Sequence, residues 1–239
     1  MPKAMFEDIY RDVKQKIQDD VYPYQSFLPP EKDLVAVYSC SRNTVRRALQ
    51  MLADDAYVQP LHGKGVRVIW QRSKQPTVGS LVGVESFEEY AKKNGRVPST
   101  EVKLFETLTC DQELSARTGF EEGAELTHVI RVRSLNGEAC QVDHNFFLES
   151  AVPGLTPRIA AGSIYRYIET ELGMRILTSS RSITVELSTD MDRMYLDLGP
   201  YSCVAITENR VFNSNGVMFE YTQTRSHPKT FNLHVVSRR

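Results

Sequence analysis

Between Leu28 and Ile69 an arginine-rich amphipathic stretch runs directly into a short basic segment punctuated by glycine, His62 Gly63 Lys64 Gly65, and this order leaves few folds open. Leu28 Pro29 Pro30 Glu31 closes a loop and opens a helix, because proline suits the first helical turn and an acid there complements the positive helix N-terminus. Leu34 and Val37 are expected to face inward. Tyr38 Ser39 Cys40 has the length of a tight turn between helices, and Ser41 offers a hydroxyl to the free amides of the next helix, which starts near Arg42. Within that helix Val45, Ala48, Leu49 and Leu52 recur as one buried stripe, which pushes Arg42, Asn43, Arg46 and Arg47 onto the opposite face and its edges. Val58–Leu61 and Val66–Ile69 read as two short strands, joined by glycines that permit a sharp turn.

Helix, tight turn, helix and hairpin in this order outline a winged helix-turn-helix. An isolated arginine-rich helix is more often a solvated face with ordinary charge pairs, but here the acids do not keep pace. From Lys32 to Arg67 there are six basic residues (Lys32, Arg42, Arg46, Arg47, Lys64, Arg67) against three acidic ones (Asp33, Asp54, Asp55), whereas the whole chain is formally at −1. The planar fork of arginine suits both phosphate and the major-groove edge of guanine, so such a cluster points to double-stranded DNA, with Arg47 and the wing residue Lys64 on the same basic surface.

Three runs in this order, Leu28 to Leu34, Ser41 to Leu49 and His62 to Gly65, resemble the signature of the GntR family of bacterial transcription regulators. The resemblance implies that Lys32, Arg42, Thr44 and Arg46 touch DNA in the major groove and on its backbone, while His62 and Gly63 approach the minor groove. Cys40 stands where many members carry valine and reads as a buried small apolar residue.

At 239 residues the chain exceeds a winged domain by about one ordinary domain. The polar stretch Gln71 to Pro76 separates a basic part from an acidic one: residues 1 to 75 carry 12 Lys and Arg against 9 Asp and Glu, the remainder 17 against 21. The expected division is therefore 1–70 for DNA binding, 71–78 as linker and 79–239 as the second domain. The start leads into an amphipathic pattern (Phe6, Ile9, Val13, Ile17) rather than a signal peptide, and no apolar run is long enough to span a bilayer. Cys40, Cys110, Cys140 and Cys203 lie far apart without metal-ligand spacing, and read as buried free thiols of a cytoplasmic protein that holds no metal or cofactor.

The second part reads as α+β. Strand candidates are Val102–Leu108, Leu126–Arg133, Cys140–Phe147, Ile183–Leu187, Cys203–Phe212, Val217–Thr224 and Phe231–Val236, with Asn136 Gly137 and Asn215 Gly216 as hairpin signals favouring an antiparallel sheet. Ser163–Leu172 reads as a helix capped by Ser163 and ended by Gly173. The pattern resembles the UTRA domain, the effector-binding module of one GntR branch, related in fold to chorismate lyase. Ser86 and Phe87, Arg131 and Arg133, Gly162 to Tyr165, and Glu220 and Tyr221 match its ligand-pocket positions. Ser163 to Glu169, Glu171 to Gly173, Thr189 to Arg193 and Leu196 to Leu198 are most similar to the trehalose-responsive members, which implies trehalose 6-phosphate as effector.

The residues themselves support an anion pocket. Arg131 and Arg133 are two apart on a strand and so share one face; with the Ser86 hydroxyl and the helix start at Ser163 they could clamp a phosphate. Equally, they could pair with surface acids such as Asp143 on the neighbouring strand. Tyr165 and Tyr221 could meet a sugar or sit in the core. A carboxylate at Glu88 would repel a phosphate unless turned away. The enzyme alternative, a lyase-like domain fused to a DNA-binding one, finds no histidine paired with a nucleophile and no phosphate-binding loop. The expected function is thus a homodimeric repressor, released from a palindromic operator by a phosphorylated sugar.

Overall fold

Ile9, Val13 and Ile17 lie buried along one side of α1 (Met5–Gln18), against the stripe Val45, Ala48, Leu49 and Leu52 of α3 (Arg42–Asp54). A computed structural model describes residues 5–71 and 86–233, which fall into two units. In the first, α2 (Glu31–Tyr38) ends at Ser39 in the left-handed conformation (φ 49°), and the Ser41 hydroxyl accepts from the Thr44 amide at 3.2 Å to start α3 as expected. The hairpin of β1 (Val58–Leu61) and β2 (Gly65–Val68) pairs Val58 with Val68 and turns through Gly63 and Gly65 at φ 69° and 105°. Val58 and Val68 close the same core as the helices.

Two expectations fail here. Val37 is 67% exposed, because α2 turns Tyr38 rather than Val37 toward α1: the Tyr38 hydroxyl donates to Asp12, and Lys16 lies 5.6 Å from its ring centroid. Cys40 is only half-buried, with its thiol directed at the Ser41 carbonyl, and Cys203 is half-buried too; Cys110 and Cys140 are buried, and all four are free.

The second unit is built on a six-stranded antiparallel sheet of order β3-β4-β5-β8-β7-β6. Its strands are β3 (Pro98–Thr109), β4 (Glu125–Leu135), β5 (Glu138–Leu148), β6 (Ile176–Leu187), β7 (Cys203–Asn213) and β8 (Met218–Ser226). Asn136 and Gly137, both at positive φ (53° and 85°), make the β4–β5 turn; Asn215 Gly216 makes the β7–β8 turn. Around the sheet lie α4 (Phe87–Lys93), α5 (Gln112–Thr118), α6 (Pro157–Ala160), α7 (Ile164–Thr170) and α8 (Asp190–Tyr195). The strand expected at Phe231–Val236 is not formed at 231–233, and the rest of it lies outside the described residues, as does the linker beyond Gln71. Among the described residues no helix is long and apolar enough to cross a membrane, and no cluster of three or more His, Cys, Asp or Glu is placed to hold a metal.

The sheet face away from the cavity described below carries a stack of His128, His144 and Phe146. Burial, then the neighbouring His128, pushes His144 down to about 4. A histidine held neutral by the fold but protonated in the unfolded chain contributes stability that is complete above its ordinary pKa of about 6.5 and is lost as pH falls through the folded value. His144→Gln should therefore flatten the fall in melting temperature between pH 6.5 and 4, a span worth at most roughly 3 kcal/mol in the parent. Parallel melting curves for parent and variant across that range would exclude this role for His144.

Candidate functional site

On the first unit, α3 leaves Arg42, Asn43, Arg46 and Arg47 exposed, with Thr44 half-buried and its hydroxyl 2.9 Å from that of Ser41. The two central arginines diverge. Arg46 places its Nε 3.0 Å from Glu31, beside the first turn of α2 that also carries exposed Lys32, while the Arg47 guanidinium lies 3.7 Å from the centroid of the Phe6 ring on α1. His62, Gly63 and Lys64 are exposed at the wing tip, where the Lys64 amide donates to the Leu61 carbonyl at 3.0 Å. The Arg46–Glu31 pair is exposed and so worth about 0–1 kcal/mol, little enough for a phosphate or a guanine edge to displace the carboxylate.

In the second unit the sheet register lays side chains out in rows across one face. One row runs Arg131, Asp143, Thr224, Thr207 and Ile183 from β4 to β6; beside it runs Asn145, Thr222, Asn209 and Arg181. These residues floor a cavity that α4 and α7 roof with Phe87, Tyr90, Ile164 and Tyr165. Arg133, Gln141 and Ser226 extend the floor on one side, Phe147 and Glu220 on the other.

Asp143 organises the arginine end. Its Oδ2 accepts from Arg133 Nε at 2.9 Å and lies 3.8 Å from Arg131 Nη2, while its Oδ1 accepts from Gln141 and Thr224 at 3.0 and 2.9 Å. Arg131, Arg133 and Asp143 are 4%, 6% and 4% exposed, so this is a buried triad and not the surface pairing weighed from the sequence. Arg131 also donates to Asn145 at 2.9 Å, and Arg133 to Thr100 at 3.0 Å. Burial opposes ionisation of Asp143, but Arg133 and Arg131 outweigh it and hold the carboxyl below its usual range. Burial, then repulsion from Arg133, brings Arg131 down to about 9, which leaves it cationic at neutral pH. Glu220 is moved the other way, burial raising it toward its neutral form; its Oε1 accepts from Thr222 at 2.6 Å and Asn145 at 3.3 Å, and the Tyr165 hydroxyl, hydrogen-bonded to the same carboxyl, partly offsets the effect of burial. With Arg181 at the far end, three guanidiniums face the cavity while the rim acid Glu88 is taken up by Arg166, an arrangement that can offer charge-assisted hydrogen bonds to an anionic guest.

The predicted pocket residues mostly converge on this cavity, some in supporting roles. Ser86 and Ser163 line it while capping α4 and α7, their hydroxyls accepting from Glu89 at 3.2 Å and Arg166 at 3.3 Å. The Phe87 ring lies 5.1 Å from the Arg133 guanidinium. Glu88 reaches the rim, but its carboxylate is turned onto Arg166 at 3.4 Å. Tyr221 does not belong: it is fully buried on the opposite face, packed near Phe146, with its hydroxyl donating to Glu208 at 2.6 Å. Strand alternation forbids Glu220 and Tyr221 from sharing a face, a signal already present in their adjacency. Arg181, Asn209, Asn145 and Thr222 are cavity residues that the sequence reading missed.

The pattern of the bacterial regulatory proteins of the gntR family matches residues 6–68, and that of the UTRA domain matches residues 93–232. The chain is 36% identical over 220 residues to the HTH-type transcriptional regulator TreR of Bacillus subtilis, covering 92% of this chain and 91% of the relative. It is 24% identical to the HTH-type transcriptional regulator GmuR of the same organism, over 92% of each chain. Among solved structures, the effector-binding domain of the B. subtilis trehalose repressor (TreR) aligns at 33% identity and a TM-score of 0.53, over 59% of this chain and 98% of that domain. The B. subtilis regulator YydK shares the fold across 98% of this chain and 99% of its own, with a TM-score of 0.80 at 19% identity. These are regulators rather than enzymes, which closes the lyase alternative. A DNA-binding winged helix-turn-helix followed by a small-molecule-binding UTRA domain places this chain in the GntR family of bacterial transcription regulators.

Proposed function

We propose that the protein represses a sugar-utilisation operon by binding a short palindromic operator as a homodimer, and that trehalose 6-phosphate entering the UTRA cavity releases it. In this reading residues 1–70 bind DNA, 71–78 link and 79–239 sense the effector. Lys32, Arg42, Thr44, Arg46 and Arg47 meet the major groove and its backbone, with His62, Gly63 and Lys64 at the minor groove. The observation that carries the effector class is the pair of buried guanidiniums, Arg131 and Arg133, that share the one carboxylate of Asp143 on the cavity floor. Phosphate binds such a site through charge-assisted hydrogen bonds, and the polar rows of Asn145, Thr222, Thr224 and Asn209 suit sugar hydroxyls. The trehalose assignment is supported by the 36% identity to TreR and by the trehalose repressor domain at 33%.

A dimer follows from recognition geometry, since one winged module makes few base contacts and two-fold proteins match two-fold sites. Release requires the ligand to prefer the state that cannot span both half-sites, with coupling of about 1–3 kcal/mol per linked site. The direct test uses a duplex selected from a random pool, followed by fluorescence anisotropy. Trehalose 6-phosphate is expected to dissociate the complex at concentrations where trehalose and inorganic phosphate do not. Equal release by trehalose and its phosphate would overturn the anion reading, and selective release by a different sugar phosphate would overturn the trehalose assignment.

A further inference from the structure

We infer that Arg181 and Asn209 form a second anchoring subsite of the cavity, one that takes the hydroxyls of the sugar ring distant from the phosphate and so selects a phosphorylated disaccharide over a phosphorylated monosaccharide. The inference rests on the cavity being the effector site.

The layout of the floor supports it. Arg131 stands on β4 and Arg181 on β6, and the sheet order puts four strand steps between them. At a strand spacing of about 4.8 Å the path across the sheet between the two backbones is roughly 19 Å, longer than a single pyranose phosphate laid along the floor. The intervening positions are short and polar, Asn145, Thr222 and Asn209 in one row and Thr224 and Thr207 in the next, so the floor between the two cationic ends is a trough lined with hydrogen-bonding groups. Tyr165, on α7, lies close enough to both Arg131 and Arg181 for their charges to act on its hydroxyl.

The two ends differ in chemistry. At the β4 end two buried guanidiniums share one carboxylate, an arrangement for an anion. At the β6 end one half-buried guanidinium donates through Nε to the Asn209 carbonyl at 2.7 Å, and the Ser179 hydroxyl lies 3.3 Å from the same oxygen. Those contacts occupy the Asn209 acceptor and set its side chain, with that of Arg181, against the β6 side of the cavity. A fixed fork beside an amide is a donor surface for hydroxyl and ring oxygens. Ile183, next along β6 on the same face, adds an apolar flank for the carbon side of a sugar ring.

The test compares calorimetric affinities of the full chain, Arg181→Gln and Asn209→Ala for trehalose 6-phosphate and glucose 6-phosphate. Arg181→Gln should weaken the disaccharide phosphate by about 10- to 100-fold, the range of a lost hydrogen bond to a charged group, and Asn209→Ala by about 3- to 10-fold, the range for a neutral one, while glucose 6-phosphate stays within about twofold of the parent in both. Arg181→Lys, which keeps the charge and loses the fork, should behave like Arg181→Gln. Equal weakening of both ligands would show Arg181 acting through its charge at the phosphate and would overturn the subsite, as would affinities unchanged for both. Should Arg181→Gln melt early, Asn209→Ala carries the same comparison. A parent chain that binds neither sugar phosphate sinks the effector reading itself, together with this inference; a parent that binds trehalose 6-phosphate, with variants that do not discriminate, sinks the subsite alone.

Discussion

Arg131→Ala and Arg133→Ala should each leave operator affinity near that of the parent chain but make the complex resistant to trehalose 6-phosphate, a super-repressor behaviour. The size of the effect follows from burial. Both guanidiniums are almost wholly removed from solvent, so the bonds they give a phosphate are made where water does not compete. Losing one cation of two should cost about 1.5–3 kcal/mol of effector affinity, roughly 10- to 150-fold. Neither variant strands Asp143, because the other arginine remains near its Oδ2 and Gln141 and Thr224 still donate to its Oδ1. The fold should therefore tolerate each single change, whereas removing both arginines leaves a buried carboxylate without a cation, a loss on the order of 3–5 kcal/mol. The readouts are operator anisotropy with and without ligand, and calorimetry of ligand alone. Full release by trehalose 6-phosphate from both variants would remove the clamp and leave the Arg131–Arg133–Asp143 triad as structural.

The legible parts of this chain are those decided by neighbours in sequence. Ser41 caps α3 because its hydroxyl meets an amide three residues on, and the Asn136 Gly137 turn needs only two residues that tolerate positive φ. Alternation along one strand was enough to put Arg131 and Arg133 on a common face. Applied to Glu220 and Tyr221, the same rule separates them, and the structure does so. Val37 was misplaced for a non-local reason, since the Tyr38 bond to Asp12 on α1 sets how α2 rolls. β6 was recognised only at Ile183–Leu187, although it begins at Ile176. Its first half, Ile176 to Ser182, is largely serine, threonine and arginine: one face looks into a polar cavity and the other is not deeply buried, so no apolar alternation marks it. Arg181 and Asn209 join Arg131 only through the strand order β4-β5-β8-β7-β6, in which two neighbouring pairs are adjacent in sequence only through long intervening chain or not at all. Register between such strands is a tertiary fact, and local pattern does not carry it.

On the DNA side, Arg46→Ala and Lys64→Ala should both weaken operator binding, but in ways that separate base reading from backbone contact. Arg46 projects from the helix expected to enter the major groove, and its side chain is 63% exposed, paired with Glu31. Replacing it removes a fork able to reach a guanine edge, so binding to the selected operator should fall by about 1–3 kcal/mol while binding to random duplex changes much less. The loss of the Glu31 pair itself costs the fold little, since exposed pairs of this kind contribute about 0–1 kcal/mol. Lys64 sits at the exposed wing tip, and a lysine there is a point charge without the geometry to read a base. Its removal should weaken specific and random DNA alike and lower the slope of log affinity against log salt by about 0.9, the amount for one phosphate contact on duplex DNA. Glu31→Gln supplies the complementary sign: removing a carboxylate from beside Arg46 should leave affinity equal or higher at low salt, because an anion on the DNA face opposes phosphate. An Arg46→Ala protein with parental melting temperature and parental operator affinity would displace α3 as the reader, and an unchanged salt slope in Lys64→Ala would take the wing tip off the phosphate backbone.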